Sequence, residues 1–236
     1  MAGAHALRIV HTSDLHVSDV GDVEHDERDI HFLQRVVAAA ARLRADFLLL
    51  VGDTFDHNRL PARTLERAAA VLARSPCDVV ALPGNHDPAM EACAFRHPAL
   101  TGLDRLHVLG VNRPERVSFE DRDLEIWGRP HRDFGDMNPL EAPPPRVAGR
   151  RIVMAHGHYQ PSPDRTIHPR PSWLFGDEEL AACEADYMAL GHWNRRARIG
   201  AERPPAWYSG SPELTESVNL CRLTASGVFV TSEPLI

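Results

Sequence analysis

The chain has 236 residues, 43% of them hydrophobic and 25% charged, a balance that excludes intrinsic disorder and leaves enough length for a substantial core. Acidic side chains outnumber basic ones, 33 to 26, for a net charge of −7. No overall basic field gathers polyanions, so a free-standing electrostatic nucleic-acid binder is disfavoured.

Every non-histidine basic residue is arginine, a composition bias in the first instance, although guanidinium also suits phosphate oxygens. Four cysteines, Cys77, Cys93, Cys183 and Cys221, form no C-x-x-C pair, which argues for reduced thiols over a zinc knuckle or disulfide framework. The opening MAGAHALRIV lacks a basic start followed by a long apolar segment, and no apolar run approaches about 20 residues. A cytoplasmic protein with no membrane association is expected.

In chain order, Leu7 to Val10 (LRIV) reads as a first strand, Asp29 to Arg44 as a helix, and Asp46 to Val51 (DFLLLV) as a second strand. The lack of polar alternation in the second strand predicts burial on both faces. Pro61 to Ala73 follows as a helix opening on proline, then Asp78 to Leu82 as a third strand. This alternation predicts a parallel sheet with helical crossovers, an α/β fold. Beyond Leu106 come shorter β-like pieces, RVSF and LEIWG, and a proline-rich link from Asn138 to Gly149. Because RRIVMAHGH and DYMALGHWN then resume the strand-to-polar-loop pattern, the link reads as a surface loop within a single 1–236 domain. The tail reads as a hairpin turning near Ala225 to Gly227.

Polar clusters follow the apolar runs: TSDLH after the first strand, GDTFD after the second, GNHD after the third, then HGH and GHWN. Strand carboxyl ends line one edge of an α/β sheet, so these clusters are expected to converge. Asp14 and His16, two apart in a segment read as extended, would share a face. Asp53, Asn85, His156, His192 and Asn194 add carboxylate, amide and imidazole donors. An oxygen and nitrogen set without thiolate suits Mn²⁺, Fe or Zn²⁺ with open positions. There are too many donors for one ion, and Asp53 is placed to bridge two.

These motifs, D-x-H, G-D-x-x-D, G-N-H-D, a later H and G-H-x-N, resemble in order those of the calcineurin-like metallophosphoesterases. EIWGRPH, VMAHG, GHWN and YSGSPE are similar to the nuclease branch that includes SbcD and the Mre11-type repair nucleases. The resemblance implies a four-layer αββα sandwich of two mixed sheets flanked by helices, and two divalent ions, Mn²⁺ foremost. One ion would be held by Asp14, His16, Asp53 and position 194, the other by Asp53, Asn85, His156 and His192. It assigns His86 to the substrate phosphate and to protonating the leaving oxygen, with Asp56 orienting that imidazole. Position 194 departs from the pattern: the family's last motif ends in histidine, and Asn194 offers only a neutral carbonyl oxygen.

His158 and Arg195 are candidate phosphate contacts, each weighed against a plain solvated role. Arg196 and Arg198 extend a cluster that would touch a nucleic-acid backbone or simply balance an acidic surface. Trp173, Trp193 and Trp207 read as packing residues before base-stacking ones. His11 reads as a strand-end packing residue, while His57 and His131 could face the cleft. The expected function is hydrolysis of phosphodiester bonds, with nucleic acid or a nucleotide as substrate. The alternatives are a small-molecule phosphomonoesterase, a cyclic-nucleotide phosphodiesterase, or a protein-interaction scaffold on the same fold.

Overall fold

The computed structural model describes residues 6–19, 30–164, 166, 172–201 and 203–236. Strands β1 (Leu7–Thr12), β2 (Phe47–Val51), β3 (Asp78–Leu82) and β4 (Leu106–Val108) pair in parallel, each with the next. Helices α1 (His31–Arg42) and α2 (Ala62–Leu72) form the crossovers among the first three strands, and the short α3 (Pro98–Thr101) precedes β4. The observed bounds lie within a residue or two of those read from sequence. Asp29, the expected start of the first helix, lies outside the described residues. Pro61 occupies the N-cap of α2, with φ −59°, where its missing N–H costs nothing.

The second half builds another sheet from β5 (Arg116–Phe119), β6 (Leu124–Gly128), β7 (Arg150–His156), β10 (Tyr187–Gly191), β11 (Ala197–Ile199) and β12 (Ala206–Tyr208). The small pair β8 (His158–Tyr159) and β9 (Leu174–Phe175) and helix α4 (Asp177–Ala182) lie between β7 and β10 in sequence. After α5 (Pro212–Thr215), the chain returns to the first sheet as the hairpin β13 (Ser217–Thr224) and β14 (Gly227–Pro234). The two six-stranded orders are β14-β13-β1-β2-β3-β4 and β11-β12-β10-β7-β6-β5. Both sheets are mixed.

The unbroken apolar strands have a simple cause. Side chains alternate faces along a strand, so a strand between two packed layers needs apolar residues at every position. Val10, Leu48, Leu50, Val79 and Ala81 pack with residues of α1 and α2. Their neighbours Ile9, Leu49, Val51, Val80 and Leu82 join Ile126, Ile152, Met154 and Ala189 in a core between the sheets. Outside the second sheet, Val153, Ala155, Met188 and Leu190 cluster with Leu180 of α4. The layers run helix, sheet, sheet, helix. Each fully buried aliphatic side chain contributes about 1.5–3 kcal/mol to this arrangement.

Polar links cross or anchor the layers. His11 on β1 reaches the second sheet: its Nε2–H donates to the Leu190 carbonyl at 3.1 Å, and Nδ1 lies 2.9 Å from the Tyr187 hydroxyl. Burial lowers its pKa to about 3, so the ring is a neutral staple. Arg151 and Glu125 form a buried ion pair at 3.3 Å, and Arg151 also donates to the Pro144 carbonyl. The Asn138–Gly149 link is thereby held down, with Leu140 buried in the outer core. All four cysteines are free and buried. Among the described residues no helix is long and apolar enough to cross a membrane.

Candidate metal centre

The carboxyl ends of β1, β2 and β3 in one sheet and of β7 and β10 in the other deliver their loops to a common edge. The first loop arrives differently from the sequence expectation. β1 ends at Thr12, and Asp14 and His16 have left-handed backbones, φ 56° and 46°, so strand periodicity does not set their directions. Instead the chain lies on the β2 loop: Asp14 N donates to Gly52 O at 3.1 Å and His16 N to Asp53 O at 3.0 Å. Asp53 (φ 51°) and His192 (φ 103°) are also left-handed. Non-glycine residues held there cost on the order of 1–3 kcal/mol each and persist where the surroundings impose them, often at functional sites.

The side chains form two neighbouring groups. Asp14, Asp53 and His156 bring donor atoms within 4.8 Å of one another, all buried; His16, Asp56 and His86 do the same in a more exposed position. His16 therefore sits with Asp56 and His86, not in the buried group with Asp14. The groups adjoin, because Asp53 Oδ1 accepts from His86 N at 2.8 Å. Asp14 Oδ2 accepts from His192 N at 3.0 Å. The His192 ring contacts His156 edge-on at 5.4 Å.

His156 tests whether a cation belongs here. Its Nδ1–H donates to the Val51 carbonyl at 2.9 Å, which leaves Nε2 as the lone-pair nitrogen of the neutral ring. That nitrogen lies 3.1 Å from Asp53 Oδ2 and 3.1 Å from Asn85 Oδ1. Three electron-rich atoms thus converge in a buried space, a repulsive arrangement unless positive charge lies among them. A proton on His156 is one answer: burial opposes it, but the Asp53 charge raises the pKa to about 9. Burial would likewise raise Asp53, yet the His156 charge and hydrogen bond hold it below its usual range. A divalent cation is the stronger answer, since Asp14, raised chiefly by burial, shares the same space. His192 is lowered to about 3, first by burial and then by His156, so it stays neutral and able to ligate. The donor set fits the implied metals.

Close packing at this edge uses glycine. A Cβ on Gly52 would fall on the His156 ring, and one on Gly84 on the Asp53 carboxylate. Gly52 also has φ +81°, which favours glycine.

Asn85 is partly buried and its amide oxygen joins the buried group; His86 is exposed. His86 Nδ1–H donates to the main-chain carbonyl of Asp56 at 3.0 Å, while the Asp56 carboxylate lies 3.7 Å from that nitrogen and 3.3 Å from His16 Nδ1. Asp56 thus fixes the His86 tautomer through its backbone more than through its side chain. Asn194 is exposed, and its main-chain carbonyl accepts from Ser211 N; among the described residues its side chain makes no hydrogen bond to the cluster. His158 is exposed, and its Nδ1 accepts from Trp193 Nε1 at 3.0 Å. Arg195 is exposed, whereas Arg196 donates to Asn219 Oδ1 at 2.6 Å and lies 4.2 Å over the Trp207 ring. Arg196 and Trp207 are packing residues, and Trp193 stacks on Tyr208 at 4.4 Å.

Two supporting residues had no role assigned to them by sequence. Asp87 is fully buried; its carboxylate accepts from Gly84 N at 2.7 Å and Phe55 N at 3.0 Å, tying the β3 loop to the β2 loop. A carboxylate closing the turn GNHD was the available signal. His131, left open by the sequence, is buried, and its Nε2–H donates to the His156 carbonyl at 2.8 Å. Burial lowers its pKa to about 4. Beside His86 opens a cavity of about 770 Å³ reaching Phe134 and Trp173.

Two mixed sheets between helices, carrying a carboxylate, amide and imidazole cluster at their strand ends, define a metallophosphoesterase fold. Residues 7–196 match the calcineurin-like phosphoesterase family model, and the chain belongs to that family. It is 29% identical over 226 residues to the uncharacterized metallophosphoesterase YhaO of Bacillus subtilis, covering 88% of this chain and 53% of YhaO. The SbcD subunit of the SbcCD nuclease from the same organism is 25% identical, over 97% of this chain and 67% of the relative. The DNA double-strand break repair protein Mre11 of Methanopyrus kandleri is 24% identical, over 88% of this chain and 49% of the relative. The chain therefore spans roughly half to two thirds of these relatives. Among solved structures, TT1561 of Thermus thermophilus superposes with TM-score 0.59 at 12% identity, covering 97% of this chain and 99% of that one. A dimetal phosphatase from Danio rerio gives 0.58 at 14%, covering 98% and 96%. These two likenesses bear on the fold alone.

Proposed function

We propose that the chain is a two-metal phosphodiesterase, Mn²⁺-dependent and cytoplasmic, that cleaves nucleotide or nucleic-acid phosphodiester bonds. The observation that carries this reading is the convergence of His156 Nε2, Asp53 Oδ2 and Asn85 Oδ1 at 3.1 Å contacts, with buried Asp14 beside them. The names of the SbcD and Mre11 relatives favour a nucleic-acid diester over other phosphate esters. Asp14, His16, Asp53 and Asn194 would hold one ion, and Asp53, Asn85, His156 and His192 the other. Bound there, two such ions supply hydroxide at neutral pH and positive charge for the phosphoryl oxygens.

The chain's own residues do the rest. His86 keeps Nδ1–H on the Asp56 carbonyl, so the proton its imidazolium offers to the leaving oxygen sits on Nε2. The Asp56 carboxylate lies 3.3 Å from His16 Nδ1 and 3.7 Å from His86 Nδ1, between the two rings, and would keep both turned toward substrate. Asn85 and His86, adjacent in sequence, serve metal and substrate separately. His158 and Arg195, both exposed, would contact outer phosphate oxygens.

The test is a set of initial rates under one Mn²⁺ condition on bis-p-nitrophenyl phosphate, p-nitrophenyl phosphate, a cyclic nucleotide and single-stranded DNA. Hydrolysis of the diesters in preference to the monoester is expected. Exclusive monoester hydrolysis would replace the reading with a phosphomonoesterase, and metal-free protein inert on all four would favour a scaffold.

A further inference from the structure

The cavity of about 770 Å³ falls within the range of small-molecule pockets, roughly 300–1,000 Å³. Its polar wall carries Asp56, His57, Asn58, Asn85 and His86, so it is continuous with the proposed reaction site; Met90, Ala92, Phe134 and Trp173 form its apolar side. Phe134 is 60% exposed and Met90 36%. Large apolar side chains gathered in solvent beside a polar cluster mark a binding surface more than a core.

The wall is built. Ser172 N and Trp173 N both donate to Asp136 Oδ1, at 3.0 and 2.8 Å. Trp173 Nε1 donates to the Gly135 carbonyl at 2.9 Å, and Gly135 N to Asp133 Oδ1 at 2.7 Å. The loop bearing Phe134 is thus latched to Trp173. Trp173 itself has φ 47°, a left-handed conformation that a bulky residue adopts only when held. Its ring contacts His192 at 5.5 Å and His131 at 5.4 Å, linking the cavity to the metal centre. Arg59 also lines the cavity, exposed and with no ion-pair partner for its guanidinium among the described residues.

We propose that this cavity is a stacking subsite for an aromatic ring on the leaving side of the scissile bond, so that the substrates are phosphodiesters whose departing alcohol is a nucleoside. The inference rests on the phosphodiesterase reading. The leaving side follows from the role proposed for His86, protonation of the departing oxygen, because His86 shares the cavity wall. The ring follows from Phe134 and Trp173, since aromatic side chains stack bases of any identity. Arg59 provides the charge for a neighbouring phosphate, as a nucleotide chain would present.

The experiment compares a thymidine dinucleotide with its two abasic counterparts, each lacking one base but keeping the same leaving alcohol chemistry. With Mn²⁺, removing the leaving-side base is expected to lower kcat/KM about ten-fold, and removing the other base much less. Trp173→Ala and Phe134→Ala should compress that ratio towards one, while Leu214→Ala, at an exposed site elsewhere, keeps it. Phe134 is exposed, so its variant reads the subsite even if Trp173→Ala folds poorly. Equal rates on all three substrates would overturn the subsite and leave the phosphodiesterase reading standing. If no diester is cleaved, that reading falls, and binding decides the subsite. Titration of Mn²⁺-loaded protein with thymidine monophosphate and methyl phosphate should then show about ten-fold tighter nucleotide binding that Phe134→Ala abolishes. Equal affinities would overturn it.

Discussion

The two side-chain groups at the strand ends differ in one respect that organises the site. Asp14, Asp53 and His156 are buried, and His16, Asp56 and His86 are half-buried or exposed. The chemistry of the groups is almost the same, carboxylate and imidazole in each. Burial separates the uses we propose for them. In the inner group unsolvated charge must be neutralised by a partner, which makes it a place for cations. The outer group is open to solvent, which leaves His86 accessible to substrate, while His16 is the member we propose as a metal ligand. Hydrogen bonding from His86 N to Asp53 Oδ1 keeps the outer group in register with the inner one.

The strongest way to break this division is Asp53→Asn. It removes the carboxylate shared between the proposed ion sites, and we expect kcat/KM to fall by at least about a thousand-fold together with loss of Mn²⁺ measured by elemental analysis. Full metal content with full activity in this variant would dissolve the distinction. His86→Ala probes the other side. Activity should fall by about 10²–10⁴ while metal content stays at the wild-type level, and loss of metal in His86→Ala would merge the two groups into one site.

The legible part of this architecture was the part written in strand period and strand-end chemistry. The unbroken apolar run at β2 told of burial on both faces, and the polar strings after five strands placed their convergence at one edge. Asp14 and His16 were less legible. Their two-residue spacing suggested an extended segment, but hydrogen bonds to Gly52 O and Asp53 O turn the backbone left-handed, a tertiary effect without local signal. The Asp56 contact to His86 was expected from a side chain and comes mainly from a main-chain carbonyl, which any residue could supply. Trp173 read as a packing residue because a lone tryptophan carries no sign of its cavity. Only the latch to Asp136 and Gly135, more than 30 residues earlier in the chain, places it beside His86.

Position 194 sharpens the comparison from the metal side. Asn194 is exposed, and among the described residues its side chain makes no hydrogen bond to the cluster, so the proposed ion site that includes it would be the weaker of the two. Asn194→His restores an imidazole, a better donor than a neutral amide for Mn²⁺ or Zn²⁺. We expect one Mn²⁺ to bind about ten-fold tighter in calorimetric titration, with the other little changed. An unchanged isotherm would mean that position 194 lies outside the coordination sphere.

The smallest effect tests the claim that the interior behind the inner group rejects charge. His11, hydrogen-bonded between the sheets, is held neutral down to about pH 3, whereas its ordinary pKa is 6.5. Below 6.5 the unfolded chain takes up a proton that the folded chain refuses, so this contribution to stability is intact above 6.5 and shrinks as pH falls towards 3. His11→Gln retains a donor for Leu190 O and an acceptor for Tyr187 but cannot titrate. In urea unfolding of chelator-treated protein across the acid range, the variant should lose about 1.4 kcal/mol less per pH unit than wild type. The acid slope will not vanish, because His131 and His192 are also held neutral, to about 4 and about 3. A slope identical to wild type would mean that His11 protonates in the folded state, and that the space between the sheets accepts charge.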